Sequence, residues 1–67
     1  MAVKYNILEY TVNVLVEKLM NTRKCSYDTA LETVMRSAVY ARLLTDEHFL
    51  EEGDIFLFKA LEKELAI

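Results

Sequence analysis

Sixty-seven residues make a single domain, 1–67, with one cysteine, one histidine, one glycine, no proline and a net charge of −3. One Cys and one His exclude a disulfide staple and a four-ligand zinc knuckle, and a pI near 5.0 disfavours nucleic-acid binding, for which a domain pI above about 9 is the usual footprint. So short a chain buries only about 60% of its unfolded surface, and such a core seldom supplies more than about 3–5 kcal/mol, so close packing, self-association or a partner must supplement it.

Without proline, and with one glycine, strand-turn chemistry is absent and helices are favoured throughout. Apolar spacing predicts a first helix from Val3 to Met20. Leu8, Val12, Leu15 and Leu19 form one stripe at i, i+4, i+7, i+11, widened by Tyr5 and Val16. Val3, Ile7, Tyr10 and Val14 form a second, about 150° away at 100° per residue. Lys4, Thr11 and Lys18 lie between the stripes on one side, and Asn6, Glu9, Asn13 and Glu17 on the other. A helix with two apolar faces sits centrally in a bundle or takes part in an interface. The same polar interruptions predict neither a signal h-region nor a membrane span. A lone Cys25 without an export signal fits a cytoplasmic protein.

The polar segment Asn21–Cys25 reads as a turn, with Asn21 as its left-handed terminator. Ser26 is placed to cap a second helix, with Asp28 suited to its first turn. Tyr27, Ala30, Leu31, Val34 and Ala38 form the predicted buried stripe. After Ala38 the phase slips, so the helix is broken near Ser37 and Val39–Leu44 is read as a short third helix. Thr45 is the next cap, followed by Asp46 and Glu47. Gly53 ends that turn of helix. Asp54 caps the last helix, whose stripe is Leu57, Phe58, Leu61 and Leu65, with Phe56 and Ala60 opposite. The fold class is therefore all-α, a small bundle of about four helices. Its expected core comprises Leu8, Val12, Leu15, Leu19, Leu31, Val34, Leu43, Leu57, Phe58, Leu61 and Leu65.

The run from Leu31 to Leu65 has an apolar helix, then Ser37, Tyr40 and Leu43–Leu44, an Asp46–Glu47 turn, Leu50, and a last helix ending Leu61, Glu64–Leu65. This layout resembles that of short, uncharacterised, all-helical bacterial proteins. The resemblance covers about half the chain and implies a fold and a bacterial setting. It implies no activity and no functional residues.

No residue pattern calls for catalysis. Cys25 precedes a helix start beside Lys24, features that lower a thiol's pKa, but the only base of the right kind, His48, is remote in sequence and sits among Asp46, Glu47, Glu51 and Glu52. His48 with Glu51 or Glu52 gives a metal too few ligands. No catalytic residue, cofactor or metal site is assigned. Residues 1–44 hold six Lys/Arg against four Asp/Glu, and residues 45–67 two against seven. The acidic end is suited to a basic patch on another copy or another protein. The reading is an interaction or assembly module, homodimeric or part of a heteromer, with Ile7, Tyr10, Val14 and Phe56 at the interface. The rival is a small bacterial regulator binding nucleic acid through Lys18, Arg23, Lys24, Arg36 and Arg42.

Overall fold

The computed structural model describes the backbone of residues 2–65 and the side chains of residues 7–65. Five helices follow in order: α1 (Ala2–Arg23), α2 (Tyr27–Met35), α3 (Ala38–Thr45), α4 (Glu47–Leu50) and α5 (Asp54–Leu65). No strand occurs among the described residues. The fold is small and all-α, with the single turn Glu47–Leu50 a helix in its own right. At about 1.5 Å per residue α1 is about 33 Å long, which sets the longest dimension of a molecule measuring 35 × 20 × 18 Å. It is the spine on which α2, α5 and α3 pack.

The first boundary differs from expectation. Asn21 stays helical, and Lys24 takes the left-handed conformation instead, at φ 57°. Neither glycine nor proline interrupts Asn21–Arg23, and a cation in the last turn suits the helix dipole. Ser26 caps α2 as expected, its Oγ accepting from the Thr29 N–H at 3.3 Å, with Asp28 in the first turn.

The break near Ser37 also holds. Ser37 Oγ donates to the Val34 carbonyl at 2.6 Å and accepts from the Tyr40 N–H at 3.0 Å, closing one helix and opening the next. The two donors ahead of Tyr40 are met from the far end of the chain. Glu64 Oε2 accepts from the Ala38 N–H at 2.7 Å and Oε1 from the Val39 N–H at 3.1 Å. With these bonds the first three orphan amides of α3 are all satisfied. The helix runs one residue further at each end than the predicted Val39–Leu44.

Thr45 does not cap the following turn. Its hydroxyl bonds back to the Ala41 and Arg42 carbonyls within α3, while Asp46, in extended backbone, accepts from the His48 and Phe49 N–H groups at 3.0 and 3.2 Å. The Phe49 N–H contributes most, and together with Arg42 and the His48 N–H it outweighs the opposing desolvation and holds the Asp46 carboxyl below its ordinary value. A pKa lower folded than unfolded stabilises the fold above the unfolded value and loses that effect as pH falls through the folded one. Asp46→Asn is therefore expected to lower Tm near neutrality and to converge with the native chain as pH falls through the lowered folded value of Asp46. Parallel melting curves at all pH values would remove this role. Gly53, at φ 98°, takes the cap position expected of Asp54, since its carbonyl accepts the first α5 bond, from Leu57 at 3.0 Å.

The core draws on every helix: Leu15 and Leu19 from α1, Ala30 and Val34 from α2, Val39 and Leu43 from α3, Phe49 and Leu50 from α4, Leu57 and Leu61 from α5. The other expected core residues, Leu8, Val12, Leu31, Phe58 and Leu65, pack half-buried around it. Val16 and Thr11 are buried as well. Thr11 lies only about 40° from Leu15 around the helix, so the covered face reaches into what had read as a polar side. Tyr27 and Ala38 leave the predicted α2 stripe. Tyr27, at the first helical position, is half exposed, and Ala38 lies beyond the break, on the surface.

Candidate interaction surface

The two α1 stripes meet different fates. Leu15 and Leu19 are fully buried by the chain's own helices, while on the second stripe Ile7 is 48% and Tyr10 65% exposed, with Val14 half-buried beside them. The cause is one of numbers. Four shorter helices on one side of a long spine cover only the face turned towards them. Val3 and Tyr5, which extend the stripes, lie outside the described side chains.

Phe56, the fourth predicted interface residue, is 50% exposed but belongs to another surface. Its ring meets Phe49 edge-on, centroids 6.2 Å apart at 80°, and the Arg42 guanidinium lies 4.2 Å above the Phe49 ring. The remaining side of Phe56 opens onto a shallow depression of about 230 Å³ with Lys59, Ala60 and Lys63. The interface residues thus fall into an α1 group and an α5 group.

A third surface had no place in the sequence reading. Along the α1/α2 seam run two depressions of about 360 and 240 Å³ sharing Asn13. Their α1 floor is Leu8, Val12, Val16 and Met20, and their α2 wall is Tyr27, Leu31 and Met35, each series spaced by four. Glu9 and Glu17 rim the seam, and no Lys or Arg is among the described lining residues. The signal was present as the i, i+4, i+8 spacing of Tyr27, Leu31 and Met35, hidden because half-buried and buried stripes look alike in sequence.

No family model, curated protein or solved structure matches the chain. Among the described residues, no three His, Cys, Asp or Glu side chains gather to hold a metal ion. Cys25 is half-buried, its thiol 4.0 Å from the Leu19 carbonyl. The basic residues of the nucleic-acid alternative are partly engaged elsewhere. Arg36 pairs with Glu32 at 3.2 Å, and Arg42 with Asp46 at 3.4 Å. No helix of the described residues is long and apolar enough to cross a membrane.

Proposed function

We propose that this chain is a protein–protein assembly module that associates with copies of itself, its outer α1 stripe meeting the same stripe of a second copy. The observation that supports this reading is the exposure of Ile7 and Tyr10 on a helix whose opposite side carries the buried Leu15, Val16 and Leu19. Fully burying an apolar side chain contributes about 1.5–3 kcal/mol. Ile7 and Val14 are already about half covered, so closing over the rest of the three residues adds about 2–4 kcal/mol per copy, comparable with the roughly 3–5 kcal/mol that so small a core supplies. A stripe paired with itself gives a two-fold, closed contact. A cytoplasmic, bacterial setting belongs to the same proposal, on the lone Cys25 and the resemblance of Leu31–Leu65. A different protein presenting a similar apolar stripe would use the same face.

Light scattering across a concentration series tests the reading. The native chain is expected to move from the monomer mass towards higher mass as concentration rises. Tyr10→Lys, which places a charge at the most exposed point of the stripe, is expected to raise the half-association concentration at least about tenfold. Tyr10→Lys with an unchanged series would remove this stripe from the interface.

A further inference from the structure

The α5 surface and the α1/α2 groove are complementary. The outward side of α5 presents Phe56 and Ala60 flanked by Lys59 and Lys63, with Ile55 beside them 67% exposed. The charges lining the Phe56 depression are both positive, although the C-terminal third as a whole is acidic and Glu62 lies on the Ile55 flank. The groove presents an apolar floor rimmed by Glu9 and Glu17, and is about 18 Å long from Leu8 to Met20, a helix-length slot. All four charged side chains are exposed, and none enters an ion pair or hydrogen bond among the described residues. Apolar contact would bring burial energy, and the charges would set register and orientation.

We propose that the outward α5 face of one copy seats in the α1/α2 groove of another, Phe56 entering the apolar floor and Lys59 and Lys63 facing Glu9 and Glu17. The proposal rests on the self-association reading and adds a second contact to it. Glu9 and Glu17 stand about 12 Å apart along α1 and the lysines about 6 Å apart along α5, a difference that flexible lysine stems span. A foreign helix of apolar and basic residues would also suit the groove, and a membrane surface would suit the α5 face. The presence of both partners on one chain, matched in charge and in apolar character, favours a second copy. Each such contact occupies one groove and one face and leaves one of each free. This is the head-to-tail geometry that continues past a pair.

Charge reversal separates the outcomes, because the four residues are exposed and their reversal leaves the core untouched. By sedimentation velocity at low salt, the native chain grows past the dimer as concentration rises. Lys59→Glu with Lys63→Glu stops at the α1-paired dimer, and so does Glu9→Lys with Glu17→Lys. Mixing the two variants, or combining all four reversals in one chain, restores growth. Reversals that leave the native size distribution unchanged, or a mixture that does not recover it, overturn the proposal. Loss of pairing in Tyr10→Lys would then still leave self-association standing. If the lysine reversals instead strip the chain from anionic vesicles while its assembly is unaffected, the α5 face belongs to a membrane and the proposal falls. A native chain monomeric up to about 1 mM, the edge of weak affinity, removes both contacts.

Discussion

Leu61→Ala is expected to leave the chain without a cooperative thermal transition at room temperature. Leu61 is fully buried on α5, in a core that also takes Leu57 from the same helix and Leu15 and Leu19 from α1. Truncating such a leucine removes transfer energy and leaves a cavity, together costing about 2–5 kcal/mol. The whole fold commands about 3–5 kcal/mol from its core. In a domain of this size each kcal/mol moves Tm by about 4–8 °C, so a fall of less than about 8 °C by circular dichroism would mean that α5 does not pack as described. Ile55→Ala, on the same helix but 67% exposed, is the matched control and should leave Tm within a few degrees.

Glu64→Ala should be the most damaging change at an exposed position. Its two carboxylate oxygens accept from the Ala38 and Val39 amides, joining the last helix to the start of α3 across 26 residues of sequence. Val39 is buried, so its amide has little access to replacement water. Loss of a helix cap costs about 0.5–2 kcal/mol, which corresponds to roughly 2–16 °C here. Glu64→Gln keeps one acceptor oxygen and should fall between. Equal melting of all three chains would mean that the contact carries no energy.

These two residues mark how far a sequence can be read. Leu61 was visible because Leu57, Leu61 and Leu65 repeat at helical spacing, and burial follows from periodicity. The break at Ser37 was visible for a similar reason, since the stripe changes phase there and serine is a cap by chemistry. Glu64 was not visible. A cap supplied from 26 residues away leaves no local pattern, and a glutamate near a helix end reads as a solvated charge. Thr45 and Asp46 show a subtler limit. Both are good caps by type, and the choice fell on the residue whose backbone is extended and whose carboxylate reaches two amides.

The interaction surfaces were legible in part. The double stripe on α1 was read from spacing, and its outer half is exposed at Ile7 and Tyr10. Phe56 was read as exposed, but nothing in the sequence could assign it to a surface separate from that stripe, because the separation depends on how α5 packs. The seam groove, with its glutamate rim, arises only when α1 and α2 lie side by side.

On the proposed reading, the fold leaves apolar surface which another copy covers, and this coverage contributes to stability. The most direct test is the melting temperature of the native chain over a hundredfold range of protein concentration. Association coupled to folding raises Tm with concentration, by at least about 5 °C over that range. A Tm that stays constant across it would mean that the monomer is stable without a second copy, and self-association would fall.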